Sequence, residues 1–555
     1  MKIIFAQHLF VINKFISNKK TLDYFAFFKS WWYDSTQKKR SLSTILVYQC
    51  TEIVLEKGGN CMIPDYLRRE ISVLFFIINK EQTTTKEIAE SLQITPRKVR
   101  DTLTIINKHF EEFQSINNFI FIKNSGVVQI NSEFKEHSVS SAYSLKLHLL
   151  KNNAAFNYTV LLLTRSSLNK DHILNELFIS PSYLNILTQK LNEFFSSFDF
   201  RITVREGYYT LVGDEMNIRL FSYLYLQDSF HDLEWPFQDI SLHSIRASVP
   251  EEILEESYKR SFTKNRSLYI LYAILQTRIH SNHRLVQPES LLTRTLFTII
   301  FESFDAAVIF QKNSFGSLDD STKNNEILYF NFLSHLFISD IIPIEEKIKL
   351  GKTFFESDHS YCTFSRDVLA ASSVLINDKL SDQNRHLVLY YLTLFNAFYF
   401  LIGDTIDCFA QLFIPPLFFR SNVQNDYMNV IKKTVSIYTK DENHTKYLSS
   451  LLYTLHTANI KTEVSIYLQL VKDYSASFYI ENSLMNFFNK EHINITDNYE
   501  IADIVVTDTL VRSDSKKKVF YLNSIENDGR WAELLFLIQC VYLEKQHIQK
   551  EKFSL

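Results

Sequence analysis

The stretch Thr84-Thr85-Lys86-Glu87-Ile88-Ala89-Glu90-Ser91-Leu92-Gln93-Ile94-Thr95-Pro96-Arg97-Lys98-Val99-Arg100 has the pattern of a helix-turn-helix. Ile88 and Leu92 fall on one face of a short helix, and Ile94 is the apolar residue of the turn. Thr95 is suited to cap a second helix, because Pro96 follows at the first helical position. The pattern predicts that this second helix starts at Pro96.

The same pattern returns 85 residues later, between Asn169 and Leu184. The equivalent positions are Ile173, Leu177, Ile179, Ser180 and Pro181. In both copies the apolar stripe of the second helix continues at steps of three and four residues, through Val99, Leu103, Ile106 and Phe110 and through Leu184, Leu187, Leu191 and Phe195. Two such units in one chain are typical of a protein that holds duplex DNA.

An alternating segment interrupted by glycine follows each second helix. Residues 119–130 and 201–212 both have the pattern of a hairpin, turning near Gly126 and Gly207. Each copy is therefore predicted to be a winged helix. The alternative is a pair of small helical packing modules with no ligand. Repetition together with the wings favours DNA.

Composition sets limits on the way in which DNA would be held. The 555 residues are enough for several domains, and 46% hydrophobic and 14% aromatic content is enough for packed cores. Net charge is only −3, and residues 62–134 contain equal numbers of basic and acidic side chains. A broad basic face for non-specific binding is thus excluded, and contacts with DNA are expected to be local.

The five cysteines form no CxxC pair and no spacing typical of metal ligands. An odd and scattered set also argues against a disulfide framework, so we expect a reducing, cytoplasmic compartment and no bound metal. No apolar run was expected to approach the roughly 18 residues of a membrane span, so no membrane partner is predicted.

The first 61 residues show no sustained helix or strand period. They end in Lys57-Gly58-Gly59-Asn60-Cys61, and Lys-Gly-Gly can be encoded by a ribosome-binding sequence at a normal distance before Met62. We expect residues 1–61 to be a non-native or disordered extension, with translation starting at Met62. The alternative is a genuine extension of the protein.

Sequence motifs of nucleotide-dependent and hydrolytic enzymes are absent. Nine glycines leave no GxGxxG, and Gly351-Lys352-Thr353 has Glu346 where a phosphate-binding loop needs its first glycine. No GxSxG or HExxH motif occurs either. We therefore predict a protein that is not an enzyme and has no cofactor and no catalytic residues.

Three stretches of the second copy and of the segment after it form a recognisable set. They are Tyr183-Leu184 with the helix to Phe195, then 207–221 (GYYTLVGDEMNIRLF), and then Glu234-Trp235-Pro236-Phe237. In these stretches the chain resembles the Mga family of Gram-positive transcription regulators. The resemblance implies two N-terminal helix-turn-helix domains, two helical regulation domains of the phosphotransferase-system type and a C-terminal domain similar to enzyme IIB. Activation of transcription is the family default.

On this plan the chain is mainly α and multidomain. The predicted domains are winged helix 1 at 62–134, winged helix 2 at 135–215, helical regulation domains at 216–322 and 323–442, and an α/β domain at 443–555. Helical patterns run from Asn217 to about Lys440, with a break near Ser317 to Asn325. Beyond His444, alternation at 464–470, 501–507 and 518–522 predicts strands.

The C-terminal segment departs from a working enzyme IIB. Such an enzyme carries phosphate on a cysteine in the loop after its first strand, whereas residues 471–476 here read VKDYSA. We therefore predict no phosphoryl transfer by this domain. The resemblance instead implies self-association, giving a homodimer or a higher homo-oligomer.

Regulation domains of this family can be phosphorylated on histidine. The candidates are His283 and His335, with the phosphocarrier protein of the sugar phosphotransferase system as the implied partner. Imidazole suits the task because it titrates near neutrality. The alternative for each is an ordinary surface or packed histidine.

The DNA-reading residues follow from winged-helix geometry, in which the exposed start of the second helix faces the major groove. In copy one these are Thr95, Arg97, Lys98 and Arg100; in copy two they are Ser180, Ser182, Tyr183, Asn185, Gln189 and Lys190. Arginine suits guanine, and Asn185 and Gln189 suit adenine. Arg165 and Lys170 are expected to hold phosphate, and Lys123 and Arg205 to act from the wings.

Together these features predict a transcription regulator that binds double-stranded promoter DNA through two winged helices and is modulated through its helical domains. The alternative is a phosphotransferase-linked signalling protein whose winged helices bind another protein. Salt dependence separates the two, because a DNA complex weakens steeply as salt is added.

Overall fold

The structure, a computed structural model, describes residues 63–80, 82–123, 126–248, 262–286, 288, 290–302, 318–338, 342–376, 380–413, 422–459, 463–470, 476–489, 492–509, 517–522 and 528–552. The expectation for residues 1–61 lies outside these residues. The described chain forms two compact units, residues 63–149 and the residues from 150 onward, and each is described by itself.

The first unit is a winged helix. Its elements are α1 (Asp65–Lys80), β1 (Gln82–Thr84), α2 (Thr85–Leu92), α3 (Pro96–Gln114), β2 (Ile120–Ile122), β3 (Val127–Ile130) and α4 (Ser138–Lys151), whose last two residues fall in the second unit. β3 lies between β1 and β2 and pairs antiparallel with both. The apolar stripe of α3 is buried as predicted, from Val99 to Phe110, and Phe110 stacks on Phe119 with ring centroids 3.9 Å apart.

The second unit begins with another winged helix. Its elements are α5 (Ala154–Thr164), α6 (Lys170–Leu177), α7 (Pro181–Phe195), β4 (Phe200–Arg205) and β5 (Tyr208–Gly213). β4 and β5 form the predicted hairpin, with Arg205 opposite Tyr208 and a turn at Glu206 and Gly207, both at positive φ. The hairpins predicted for both wings are thus confirmed.

Helices fill the region that follows. They are α8 (Glu215–Phe230), α9 (Leu242–Ser248), α10 (Phe262–His280), α11 (Leu291–Phe301), α12 (Asp320–Phe337), α13 (Ile344–Glu356), α14 (Ser360–Ile376), α15 (Asp382–Ile402), α16 (Ile406–Phe413), α17 (Asn422–Tyr438) and α18 (Glu442–Asn459). Aromatic side chains join neighbouring helices, as where Phe297 of α11 packs on Tyr329 and Phe332 of α12.

The helical segment Asp382–Phe409 corrects the expectation about apolar runs. An 18-residue window in it has a mean hydropathy of 1.5, so within the described chain it is long and apolar enough to cross a membrane. Two thirds of that window, 67%, is buried inside the protein. A helix that is hydrophobic on all sides is typical of the core of a large domain as well as of a membrane span.

Several predicted domain bounds fall inside elements of the structure. Residue 323 lies in α12, which begins at Asp320 with Asp319 as its N-cap, so the predicted break at 317–325 overlaps a helix. Residues 215 and 216 lie in the first turn of α8, and the compact units meet at residue 149 rather than at residue 134. The domain division remains a proposal, with these corrections to its bounds.

The C-terminal region is an α/β unit. A parallel sheet in the order β7-β6-β8-β9 is formed by β6 (Val464–Gln469), β7 (Ile493–Ile495), β8 (Ile504–Thr507) and β9 (Lys518–Tyr521). Helices α19 (Ala476–Phe487) and α20 (Asp528–Lys552) complete it. Strand β7 was not predicted. The loop after β6, where we expected no phosphate-accepting cysteine, lies at 471–475, outside the described residues.

Candidate nucleic-acid interface

The second helix of each winged unit starts as its sequence predicts. The Thr95 hydroxyl accepts a hydrogen bond from the backbone N–H of Lys98, and the Ser180 hydroxyl accepts one from Tyr183, each at 3.2 Å. Each cap satisfies a backbone donor that the helix itself leaves unpaired, and proline occupies the position after the cap. The positive end of each helix and its first exposed side chains are thereby fixed in place.

In each unit, one asparagine of the second helix ties that helix to its own wing. Asn107 accepts from the N–H of Ile120 and donates to its carbonyl, both at 2.9 Å. Asn192 does the same with Ile202, at 2.6 and 3.2 Å. Asn107 and Asn192 are 85 residues apart, the offset of the sequence repeat. Each amide satisfies both polar groups of one strand residue, which fixes the spacing between helix and wing.

The wing tip is also tied to the start of the first helix in each copy. The Thr85 N–H donates to the carbonyl of Gly126 at 3.1 Å, and the Lys170 N–H donates to the carbonyl of Gly207 at 3.0 Å. Both glycines have positive φ. Because the two copies share these hydrogen bonds, we interpret them as one structural unit used twice.

In copy one the proposed reading residues are all exposed. They are Thr95, Arg97, Lys98 and Arg100 on α3 and Lys123 at the end of β2. Three cations and a hydroxyl at the start of a helix form a local positive surface of the kind that meets phosphates and base edges. The arrangement fits the expectation of local rather than broad contact.

In copy two the proposed residues of α7 are exposed as well. They are Ser180, Ser182, Tyr183, Asn185, Gln189 and Lys190, together with Lys170 before them and Arg205 on the wing. A groove of about 560 Å³ lies between α7 and the wing. Asn185, Gln189, Asn192 and Val204 are among the residues that line it. This surface is more polar and less charged than that of copy one.

Arg165 does not belong to this surface. Its guanidinium donates to the Asp239 carboxylate and to the Gln238 side-chain oxygen, and its side chain is only 15% exposed. An arginine that is largely buried and already paired with a carboxylate of the same chain is poorly available to a phosphate. We therefore remove Arg165 from the proposed interface and assign it to the packing of α5 against the segment 238–239.

Some exposed residues of these helices and wings were outside the predicted set. Asp101 and Ile186 occupy the same place on α3 and α7, and Arg201 is exposed on β4. The signal for the first two was present in the sequence, because they are related by the repeat offset of 85 residues. No group of His, Cys, Asp or Glu in the described part of the chain is arranged to hold a metal ion.

His283 lies beside a buried charge cluster that consists of Glu215, Arg219, Arg278 and Glu326. Its Nε2 is 3.0 Å from the hydroxyl of Thr210 on β5. Burial and the nearby Arg278 lower the pKa of His283. The side chain is half-buried, so this histidine joins the second wing to the end of α10 while retaining access to solvent.

The cluster itself is held by two arginines. Arg278 donates to Glu215 at 2.6 Å and to the carbonyl of Leu211 on β5 at 3.2 Å. Arg219 donates to Glu215 at 2.8 Å. Burial alone would raise the pKa of Glu215, but Arg219 and Arg278 hold it below its ordinary value. The second winged helix is thus anchored to the helices that follow it.

His335 is in a different situation. It is 2% exposed, and its Nδ1 is 2.9 Å from the Tyr390 hydroxyl. Burial, with Lys347 nearby, lowers its pKa to about 3. A ring this deeply buried among the described residues is not exposed to a phosphocarrier protein. Of the two phosphorylation candidates, we therefore retain His283.

Comparison with known proteins places the second winged helix in a family. The family model described as "Mga helix-turn-helix domain" matches residues 138–226, which run from α4 through most of α8. The chain therefore contains an Mga helix-turn-helix domain. The matched segment includes the capped helix α7, its asparagine and the wing.

Two relatives extend the similarity. A protein of Streptococcus pneumoniae serotype 4, described as "Putative trans-acting regulator", is 20% identical over 494 residues, which is 82% of this chain and 93% of that protein. The "Capsule synthesis positive regulator AcpA" of Bacillus anthracis is 25% identical over 258 residues, 46% of this chain and 51% of that protein. Together, the Mga helix-turn-helix domain and these two relatives indicate that the chain is a transcription regulator.

Proposed function

We propose that this Mga-type regulator binds promoter DNA sequence-specifically through two winged helices and activates transcription. One observation carries the proposal: both units repeat the same capped second helix and the same asparagine contact to the wing, and each presents exposed polar side chains on that helix. The major groove of B-DNA admits such a helix, and arginine and amide side chains there distinguish base pairs.

Self-association adds to this binding. Residues 62–134 carry no net excess of cations, so one unit gains little from counterion release. A homodimer or larger homo-oligomer, formed through the C-terminal α/β domain, would present at least four winged helices to one DNA. Linked binding units raise overall affinity without any new contact. We place this regulator in the cytoplasm, as a protein without catalytic activity of its own.

We propose that His283 is where the phosphotransferase system acts. The unprotonated ring nitrogen of His283 would attack the phosphorus of the carrier protein's phosphohistidine. The P–N bond to the carrier would break, its imidazole would leave, and the His283 ring would release the proton from its other nitrogen. Because Nε2 of His283 faces the Thr210 hydroxyl on the wing, the added charge and bulk would disturb the contact between β5 and the end of α10. Phosphorylation would thereby change how firmly the second wing is held.

The DNA-binding proposal is tested by gel-shift titration of the protein against promoter fragments from its own genome, at two salt concentrations. The Arg97→Ala/Arg100→Ala variant is the matched change, and the Lys352→Ala variant, on exposed α13, is the control for loss of a cation. We expect a salt-sensitive shift that the double variant loses and the control keeps. Each arginine is worth about 1 to 3 kcal/mol if it reads guanine. Activation is tested with a promoter fusion in cells.

Phosphorylation is tested with phosphoenolpyruvate, enzyme I and the phosphocarrier protein, in the presence of label. Label is expected on the wild-type chain and on His243→Ala, an exposed histidine of α9, but not on His283→Ala. An unlabelled wild-type chain would eliminate this part of the proposal, and label that persists in His283→Ala would move the site elsewhere.

A second function is favoured by one observation. Phe178, in the turn of the second helix-turn-helix, is 94% exposed and has a positive φ of 52°. An exposed aromatic ring held in a conformation that bulky residues avoid is typical of a site that binds a partner. A folded protein that shifts no DNA fragment would favour winged helices that bind another protein. Capture of that protein, lost in Phe178→Ser, would then support this function.

A further inference from the structure

One apolar side chain lies in the middle of the outward face of α7. Ser182, Ile186, Gln189 and Glu193 follow one another at steps of four, three and four residues, so they form a single stripe along the helix. The stripe lies opposite the buried residues Leu184, Leu187 and Leu191. Ile186 is 50% exposed. Single exposed apolar residues are common on proteins, but this one occupies the position from which a winged helix reads bases.

The first winged helix shows what is unusual about that position. The residue 85 places earlier is Asp101, which is also exposed on α3. Arg97 in copy one corresponds in the same way to Ser182 in copy two, and Arg100 corresponds to Asn185. The two copies therefore share a backbone frame but differ in chemistry at these three positions. They are charged in α3, at Arg97, Arg100 and Asp101, and uncharged in α7, at Ser182, Asn185 and Ile186.

These side chains match different base pairs. Arginine pairs with guanine, and a carboxylate accepts from the amino group of cytosine, so the face of α3 suits G·C. Amide side chains pair with adenine, and an apolar group contacts the methyl group of thymine, so Asn185, Ile186 and Gln189 suit A·T. The outward face of α7 from 181 to 190 contains no arginine.

We propose that Ile186 contacts the C5-methyl group of thymine in the major groove, and that the second winged helix selects A·T base pairs. The proposal deepens the proposed function and rests on it. Ile186 is the specificity-determining residue, with Asn185 and Gln189 beside it as adenine readers. The regulated promoters then carry a composite site, with G·C pairs under α3 and A·T pairs under α7.

The contacts of Gln189 within the protein leave its amide able to pair with adenine. Its side-chain nitrogen lies 3.3 Å from the Glu193 carboxylate, a contact that orients the amide. The second amide hydrogen and the oxygen remain for the donor and acceptor pattern of adenine. Glu193 ends the stripe one turn further along, so the A·T-reading part is the first two turns of α7.

Replacing thymine by uracil in the probe removes only the methyl group. A bound promoter fragment is amplified with dTTP or with dUTP, and the dissociation constants of the full-length protein are compared by gel shift. The variants are Ile186→Ser and the matched control Ile437→Ser, which removes an exposed isoleucine near the end of α17. Burial of one methyl group is worth about a fourfold change in affinity.

The wild type and Ile437→Ser are expected to bind uracil DNA at least fourfold more weakly than thymine DNA. Ile186→Ser is expected to bind thymine DNA about fourfold more weakly than the wild type does and to lose the difference between the two probes. Because uracil also changes the shape of DNA, the ratio between probes within each variant is the readout. Single substitutions along the site then locate the sensitive thymines.

The possible outcomes distinguish failure of the Ile186 assignment from failure of DNA binding itself. A salt-sensitive shift with the same thymine-to-uracil ratio in the wild type and in Ile186→Ser would overturn the assignment of Ile186 and leave DNA binding intact. Equal affinity of the wild type for thymine and uracil DNA would also overturn the assignment of Ile186. Absence of any salt-sensitive shift from folded protein would remove both, and would leave the exposed face of α7 as a surface for a protein partner.

Discussion

Arg219 and Glu326 form a buried ion pair across 107 residues of chain, with Arg219 Nη2 3.0 Å from Glu326 Oε1. Arg219 is 2% exposed and Glu326 is fully buried. Arg219 lies in α8, directly after the second wing, and Glu326 lies in α12. Glu326 also accepts from the backbone N–H of Leu285, two residues beyond His283. The pair therefore fixes the second winged helix to the helical region.

Removal of one partner of this pair should be costly. Glu326→Ala leaves the buried Arg219 with Glu215 as its remaining carboxylate partner in the cluster and removes the acceptor for the Leu285 N–H. We expect the free energy of unfolding to fall by about 3 to 5 kcal/mol. Urea unfolding followed by circular dichroism measures the change. The double variant Arg219→Met/Glu326→Leu should recover most of the loss, since it replaces the pair by apolar side chains while Glu215 keeps its ion pair with Arg278. Equal losses in the single and double variants would contradict this account.

Acid should destabilise the helical region. Burial lowers the pKa of His335 to about 3 and the pKa values of His444 and His456 to about 4. Because the folded pKa lies below the unfolded value near 6.5, their stabilising contribution is complete above pH 6.5 and is lost as the pH falls toward 4. By pH 5 the loss is about 2 kcal/mol for each histidine.

Unfolding measured in urea from pH 7.5 to pH 5 tests this prediction. His444→Gln keeps a polar group next to Asn396, to which His444 Nε2 bonds at 2.8 Å, but does not titrate. In this variant, the slope of the free energy of unfolding against pH should fall by the amount that corresponds to one bound proton. Stability that does not change between pH 7 and pH 5 would show that these rings are not held neutral in the fold.

Gly351 should tolerate no side chain, although it lies inside a helix. A Cβ at this position would come within 1.9 Å of the backbone oxygen of His386, where α13 crosses the start of α15. Glycine to alanine in an exposed helix usually stabilises by about 1 kcal/mol. Here we expect the opposite sign, a loss of about 1 to 3 kcal/mol from overpacking. Lys352→Ala, on the exposed side of α13, is the control in thermal unfolding.

The asparagine contact to the first wing should control DNA affinity without touching DNA. Asn107→Ala leaves the N–H and carbonyl of Ile120 without their side-chain partner, at a cost of about 1 to 3 kcal/mol. We expect faster hydrogen exchange of the Ile120 amide and weaker binding of promoter DNA. Asn117→Ala, exposed beyond the end of α3, should change neither. Weaker binding without faster exchange would show that Asn107 acts directly on the nucleic acid.

The two winged helices could be predicted because their signals are local. An N-cap acts over three residues, a helical stripe over three or four, and a hairpin over its own turn. The sequence alone therefore predicts the N-caps Thr95 and Ser180 and the turn glycines Gly126 and Gly207. Repetition at a fixed offset added the inference that both units have the same purpose, and it extends to Asn107 and Asn192.

The candidate site was predicted less well, because side-chain availability is a matter of tertiary structure. Arg165 and Lys170 look equivalent in the sequence, but only Lys170 is exposed, since Asp239 holds Arg165 from 74 residues away. His335 and His283 look equivalent in the same way, and packing against Tyr390 buries the first. The helical pattern also places Ile186 on the outward face of α7, although Ile186 was not among the predicted site residues.

By itself, then, the sequence determined the repeated winged helices, the exposed start of each second helix, the helical middle and the α/β end, since each depends on periodicity and capping within a few residues. Only the tertiary structure decided which charges are exposed, which histidine is accessible, why Gly351 is a glycine, and how Arg219 meets Glu326. Those properties depend on residues far apart in the chain, whose proximity arises when the apolar faces of many helices pack together.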